Sequence, residues 1–344
     1  MRKILCVLLG CVFISGMAFG AGRRDDTDFP SRAITLIVPW SAGGGSDAIA
    51  RMTAASGQGV RYPPGCGADA IARALARTAE QHLGVPIVVQ NRPGEAGTAG
   101  LGVTAAAAPD GYTLTILPLE LGLSRYMEVY PFDFSDFTMI MNLNTDPAVV
   151  AVRADAPWNT LQEFVAAARA NPGELNIAHA GRGRVWHLAG LALAAEAGVE
   201  FSYVPFIGAG DAIAAIRSGR VQAMTFSGAE VSAEVRAGTM RVLGILDYER
   251  APTFPEIPTA REQCLDVVVR TVRGLGGPAG IPAYRVQILH EGFRAMMQEP
   301  VFITTMETMG IGIDYRNLQE YEALTITETT RILSSLVRLA MEGH

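Results

Sequence analysis

The chain has 344 residues, of which 49% are hydrophobic and 18% are charged, and its formal net charge is −6. This length and apolar share suffice for a large buried core, and they predict about two domains rather than a disordered chain. The acidic balance, without a basic run or stripe, excludes nucleic acid from the expected partners.

The N-terminus has the pattern of a secretory signal. A basic start, Met1-Arg2-Lys3, precedes a hydrophobic stretch over residues 4–19 that ends in small residues. This pattern predicts that residues 1–20 are a signal peptide and that the mature protein is periplasmic or otherwise extracytoplasmic. The alternative is a lipoprotein anchored through Cys11, because Leu8-Leu9-Gly10-Cys11 resembles a lipoprotein cleavage box.

A glycine-rich loop follows the first predicted strand, residues 33–38, and its sequence occurs twice. The first copy contains Gly43, Gly44, Gly45, Ser46 and Asp47, and the second contains Gly65, Cys66, Gly67, Ala68 and Asp69. A loop between a strand and a helix turns backbone N–H groups outward, and the helix dipole adds attraction for an anion. Both copies are therefore candidate ligand-binding residues, although N-capping alone also accounts for the two aspartates.

The two copies cannot both occupy the end of the first strand. Few residues separate Val38 from the first copy, so attachment to the strand restricts its position more than helix length restricts the second copy. We therefore expect the first copy to line the cleft and residues 52–64 to bulge outward, since loops tolerate insertions at small entropic cost.

Strands and helices alternate along the rest of the chain. Predicted strands cover residues 86–90, 112–117, 148–153, 175–178, 201–204, 221–226, 241–246 and 267–272. Predicted helices cover residues 70–83, 97–107, 160–170, 186–197, 209–218, 283–298, 299–309 and 317–341. This alternation indicates an α/β fold with mainly parallel sheets, in which ligands bind beyond the carboxyl ends of the strands.

A second combination of strand, glycine turn and helix occurs at residues 176–190. Its candidate ligand-binding residues are Gly181, Arg182, Gly183, Arg184 and His187. The two guanidinium groups, together with backbone N–H groups, suit a carboxylate or a phosphate. Each arginine alone is equally explained as a solvated residue at a loop tip.

The sequence shows no hydrolytic triad pattern and no histidine spacing typical of a metal site. We therefore expect a protein that is not an enzyme and that holds neither a metal nor a cofactor. Beyond the signal, the cysteines are Cys66 and Cys264. They either pair in an oxidising compartment or are two separate small apolar residues.

Several blocks, in order, resemble the periplasmic substrate-binding proteins of tripartite tricarboxylate transporters, often called the Bug family. The blocks are residues 34–40 with the glycine loop, 91–94, 109–114, 180–190, 204–208 and 254–259. The resemblance implies a two-lobed periplasmic-binding-protein (Venus-flytrap) fold that closes on its ligand like a hinge. It places lobe 1 at residues 29–142 plus 272–344 and lobe 2 at residues 143–271.

The same resemblance implies a function. Family members typically bind small carboxylates through backbone N–H groups, so the expected ligand is a small di- or tricarboxylate. The expected partners are membrane permease subunits of the transporter, and the receptor itself is expected to be a monomer. Phe206, within one of the matching blocks, joins the ligand-binding candidates.

Two departures from the family pattern leave alternatives open. The family has one copy of the first glycine loop, and it often has a small hydroxyl residue where this chain has Arg184. Arg184 either favours a more highly charged or aromatic acid, or it narrows the cleft and abolishes binding. The competing functions are a ligand sensor for a membrane regulator, an exported enzyme that acts on a carboxylate, and a degenerate homologue that binds nothing.

Overall fold

The computed structural model describes residues 28–40, 67–94, 97–124, 131–206 and 208–342. The described strands are β1 (Ile34–Val38), β2 (Ile87–Asn91), β3 (Thr113–Pro118), β4 (Phe137–Arg153), β5 (Asn176–His179), β6 (Ser202–Pro205), β7 (Ala223–Ser227), β8 (Met240–Leu246) and β9 (Arg270–Pro278). The described α-helices are α1 (Gly67–Ala76), α2 (Ala79–Leu83), α3 (Thr98–Ala105), α4 (Leu161–Ala170), α5 (Val185–Ala197), α6 (Ala209–Arg217), α7 (Gly228–Arg236), α8 (Ala283–Met296), α9 (Pro300–Met309) and α10 (Leu318–Glu342). Short 3₁₀ turns lie at Leu119–Leu123, Phe134–Asp136 and Arg261–Gln263.

The strands follow one another in the order β2-β1-β3-β9-β4-β7-β5-β6, and β8 also pairs with β4. β1 is parallel to β2 and β3, and β5 is parallel to β6 and β7. The pairs of β9 with β3 and of β4 with β7, β8 and β9 are antiparallel. The predicted α/β class is confirmed, as a mixed sheet whose outer parts are parallel. We call β1–β3 with α1–α3, α8 and α9 the first half, and β5–β8 with α4–α7 the second half.

β4 and β9 connect the two halves. β4 pairs with β9 from Phe137 to Pro147, and from Ala148 onward it pairs with β7 and β8. The sequence predicted only residues 148–153 of β4 and placed the last strand at 267–272, so both predictions of extent were wrong. The apolar pattern did not reveal the full extent of these strands, because polar residues interrupt it in β4 and glycines interrupt it in β9. Both strands are buried among neighbouring elements rather than half-exposed, so they lack the regular alternation of a surface strand.

Two further differences concern helices. The predicted helix 70–83 is two helices, α1 and α2, separated at Arg77 and Thr78. The sequence analysis missed α7, although Ser227 and Glu230 form a capping box at its start. The helix is short and its first residue is glycine, so its apolar periodicity is weak. Most of the remaining predicted elements agree with the structure to within one or two residues at each end.

Each half has its own core. Ile71, Phe293 and Phe302 are fully buried in the first half, and Phe164 and Phe226 are fully buried in the second. α10 packs against α5 and against the 3₁₀ turn after β3, and its Tyr321 lies in the second core. The lobe boundaries at 29–142 plus 272–344 and at 143–271 stay a prediction. No helix in the described part of the chain is both long and apolar enough to span a bilayer.

Candidate functional site

The carboxyl ends of β1, β3 and β5 carry side chains that connect the two halves. Trp40 follows β1, Glu120 follows β3, and the loop of residues 180–184 follows β5 and leads into α5. The carboxyl ends of parallel strands are where α/β sheets bind ligands. We call Trp40, Glu120, residues 180–184 and His187 the interlobe site.

Glycines determine the path of the loop of residues 180–184, which we call the second loop. Gly181 has a φ of 104° and Gly183 a φ of 74°, a region that side-chain-bearing residues rarely adopt. The backbone N–H of Gly183 donates to Nδ1 of His187 at 3.1 Å. His187 therefore holds the loop against the first turn of α5, and the N–H of Gly183 is already used within the protein rather than left for a ligand.

His187 belongs to a cluster of three aromatic rings. Its ring centre lies 4.3 Å from that of His179, and Tyr203 meets both imidazoles edge-on. Burial, helped by His179 and Arg182, lowers the pKa of His187 to about 4. Burial also lowers the pKa of His179. Both rings are therefore neutral at pH 7, which lets Nδ1 of His187 accept the loop hydrogen bond.

Arg184 spans the two halves. Its guanidinium carbon lies 5.9 Å from the ring centre of Trp40, within cation–π range. The carbonyl of Trp40 accepts a hydrogen bond from Nδ2 of Asn91 at 3.0 Å, which positions the residue at the end of β1. Sequence reasoning named Arg184 but missed Trp40 as its partner. The position of Trp40 two residues after a buried strand was the available signal.

The second copy of the duplicated glycine loop leads into α1, where Ala68 and Asp69 are buried. Nδ2 of Asn91 donates to Asp69 at 2.9 Å, and Nε of Arg73 donates to the same carboxylate at 3.0 Å. Asp69 lies inside the first turn of the helix, not at the N-cap position. Both of its oxygens are used internally, so it positions the start of α1 beside Trp40.

Part of the predicted site lies outside the described residues. The residues concerned are Gly43, Gly44, Gly45, Ser46, Asp47, Gly65 and Cys66. The prediction that the first copy lines the cleft falls in this group, as do the signal peptide and Cys11. Cys264 is described and exposed, but its pairing with Cys66 is untested.

Glu120 is a site residue that the sequence analysis missed. It is only 4% exposed, and its Oε1 accepts a hydrogen bond from the backbone N–H of Val185, the first residue of α5, at 3.2 Å. An acidic group from the turn after β3 therefore occupies part of the positive end of the α5 dipole. An acid two residues beyond a buried strand was the signal in the sequence.

Phe206 lies at the end of β6, beside β5. Its N–H donates to the carbonyl of His179 at 2.8 Å, and the guanidinium carbon of Arg220 lies 5.6 Å from its ring centre. Phe206 lines an open groove of about 700 Å³, together with Asp211 and Ser218. Phe206 thus lies next to the second loop, on a surface groove of the second half.

A buried ionic cluster lies where the paired strands β4 and β9 pass from one half to the other. Arg273 of β9 lies 3.7 Å from Asp146 of β4 and also donates to the amide oxygen of Asn144. Glu230, in the first turn of α7, belongs to the same cluster. Burial raises the pKa of Glu230, and the nearby Asp146 raises it further. Burial also raises the pKa of Asp146, against the opposing effect of Arg273. The crossing strands thus carry charge at the point where the halves join.

Comparison with known proteins agrees with this architecture. The family model described as "Tripartite tricarboxylate transporter family receptor" matches residues 71–338. The protein BugT of Bordetella pertussis is 31% identical over 266 residues, which cover 76% of this chain and 74% of BugT.

Two solved structures share the fold. A TctC solute-binding protein from Polaromonas, solved without ligand, is 30% identical, with a TM-score of 0.71 over 90% of this chain and 100% of that one. MatC from Rhodopseudomonas palustris, solved with bound malate, is 26% identical, with a TM-score of 0.72 over 90% of this chain and 99% of that one. The chain therefore belongs to the tripartite tricarboxylate transporter receptor family, whose members are periplasmic solute-binding proteins.

Proposed function

We propose that this protein binds a small di- or tricarboxylate outside the cytoplasm and delivers it to the membrane subunits of a tripartite transporter. The observation that carries the proposal is the meeting of Arg184 and Trp40 across the two halves, beside the N-terminus of α5. A guanidinium group at a helix N-terminus between two lobes favours an anionic ligand that closes the lobes on itself. The malate bound to the related MatC supports this ligand class.

Within this function, we infer that the second copy of the duplicated glycine loop contributes to the site. Asn91 donates from one nitrogen to both the Trp40 carbonyl and Asp69, at 3.0 and 2.9 Å. The start of α1 therefore lies beside the end of β1, the position that a ligand-binding loop after β1 should occupy. This geometry favours Gly67 and Ala68 over the first copy, contrary to our expectation from the sequence.

Ligand identification tests the binding function. We expect mass spectrometry to find a small di- or tricarboxylate in protein purified from its native host, and calorimetry to measure saturable binding of the same compound. Binding of the corresponding amide in preference to the acid would contradict the proposal, because helix N–H groups and guanidinium groups favour the negative form.

Uptake measurements test delivery. A strain that lacks this protein should lose uptake of the labelled acid, and a plasmid copy should restore it. Unchanged uptake, together with loss of a transcriptional response to the acid, would instead support the sensor.

N-terminal sequencing of the envelope protein tests export, since we expect removal of about the first twenty residues. A chain that still begins at Met1 would contradict export, and a lipidated Cys11 would replace soluble export with anchoring.

A further inference from the structure

We propose that Glu120 is a specificity-determining residue that selects acids carrying a hydroxyl or ammonium group. This inference rests on the proposed function and deepens it by naming the ligand chemistry. Its basis is one buried carboxylate between the two halves, which is hydrogen-bonded to the first residue of α5, next to Arg184 in the chain.

The position of Glu120 follows from the fold. It lies in the 3₁₀ turn immediately after β3, and this turn packs against α10 and β9. Leu119 and Leu123, on either side of it, are fully buried in the second core. The turn is therefore anchored, and Glu120 is held at the carboxyl end of its strand, where α/β sheets bind ligands.

Among the described residues, one hydrogen bond reaches the carboxylate of Glu120. In this bond, Oε1 accepts from the N–H of Val185. An ionised carboxylate has about four lone-pair sites, so the carboxylate of Glu120 can accept further hydrogen bonds. Because it is bonded to the residue that follows Arg184 in the chain, a ligand held at Arg184 can bring a donor to it.

The same carboxylate limits where the ligand's own charge can lie. Glu120 already occupies the N–H of Val185, the first residue of α5. A ligand carboxylate placed there would face a like charge in a site largely shielded from water. The ligand's carboxylates therefore lie toward Arg184, and the group that meets Glu120 is a hydroxyl or an ammonium donor.

Matched acids test this assignment by calorimetry. The probes are succinate, malate and aspartate, which differ only at one carbon, and the longer series glutarate, 2-hydroxyglutarate and glutamate. In at least one series we expect the native protein to bind the hydroxy or amino acid about tenfold or more tightly than the plain diacid, the range for a hydrogen bond to a charged group. Plain diacids that bind as tightly as the substituted ones would overturn the proposal.

Two variants identify the donor. Glu120→Ala should abolish the preference by weakening the substituted acid and strengthening the plain diacid. Glu120→Gln should keep most of a hydroxyl preference and lose an ammonium preference, because the amide accepts a hydrogen bond but carries no charge. Glu249→Gln, at an exposed position of the second half, is the matched control and should change nothing. A preference that survives Glu120→Ala would overturn the assignment.

A ligand-independent measurement separates this inference from the proposed function. Glu120→Ala vacates the acceptor of the Val185 N–H, so acetate should raise the melting temperature of this variant in a saturable way. Acetamide, or sodium chloride at equal ionic strength, should not do so, and acetate should not raise that of the native protein or of Glu120→Gln. If acetate stabilises Glu120→Ala but the native protein binds no diacid, the placement of the Glu120 carboxylate at the Val185 N–H stands and the proposed carboxylate-binding function is refuted. If acetate does not stabilise the variant, this placement of the Glu120 carboxylate is refuted.

Discussion

Arg184 lies over Trp40 at the boundary between the two halves, and it is the residue whose removal should weaken ligand binding most directly. We expect Arg184→Ala to reduce the affinity for the acid identified by mass spectrometry by about 1.5–3 kcal/mol, the range for a hydrogen bond to a charged group. Arg184→Lys should recover part of this loss, because it keeps the charge and loses the planar stacking. Calorimetry provides the measurement.

The control for this prediction is Arg217→Ala, which removes an exposed arginine from α6 in the same half of the protein. It should leave the affinity unchanged. An Arg184→Ala variant that binds like the native protein would place Arg184 outside the binding site, even though it contacts Trp40.

His187 makes the second loop sensitive to acid. Its pKa is lowered from 6.5 to about 4, so the folded state keeps the ring neutral after the unfolded state has begun to bind a proton. The stability contributed by this neutral ring is present above pH 6.5 and is lost progressively as the pH falls toward 4. Urea denaturation between pH 7 and 4.5 should show this loss.

His187→Asn removes the titration and keeps an acceptor near the position of Nδ1, for the N–H of Gly183. The free energy of unfolding of the variant, relative to that of the native protein, should therefore rise as the pH falls. A difference between His187→Asn and the native protein that is constant with pH would contradict the lowered pKa of His187.

Among the elements, β9 shows why a strand can contain several glycines. A Cβ added at Gly274 would lie 2.1 Å from Cζ of Tyr321, which is fully buried, so the strand accepts the tyrosine of α10 only without a side chain. We expect Gly274→Ala to reduce the free energy of unfolding by about 1–3 kcal/mol, as overpacking does. Chemical denaturation measures this change.

Gly210 in α6 is the matched control, because a Cβ there would meet nothing within 4 Å. Gly210→Ala should be neutral or should stabilise the protein by up to about 1 kcal/mol. In the Gly274→Ala background, Tyr321→Leu should cost less than it does alone, since the two residues are in contact. Additive costs would show that the two do not compete for one space.

At the scale of the whole molecule, the duplicated loop can be tested by deletion. Trp40 and Asp69 are both bonded to one nitrogen of Asn91, so the chain between them spans only a short distance. Removing residues Gly43 through Pro64 leaves six residues between Trp40 and Asp69, Ser41, Ala42 and residues 65–68, which are ample for this span. The variant should fold with a melting temperature at least equal to that of the parent and should bind the same acid.

The outcome of the deletion distinguishes the two loops. Retained binding would support the second copy as the ligand loop, whereas a folded variant without affinity would return that role to the first copy. A variant that does not fold would show that residues 43–64 contribute to the core. Deletion of only residues 52–64, the segment that we expected to bulge outward, provides the control for the length of the insertion.

The sequence by itself determined the family, the α/β class, most element positions and the second loop with Arg184 and His187. These features depend on local signals, namely apolar periodicity, turn glycines and ordered blocks, which survive without knowledge of packing. The tertiary structure alone decided the extent of β4 and β9 and the partnerships of Trp40, Glu120 and Asp69. In each case the partner is distant in the chain, so only the folded arrangement brings the two groups within bonding distance and makes a buried polar residue or a strand glycine favourable.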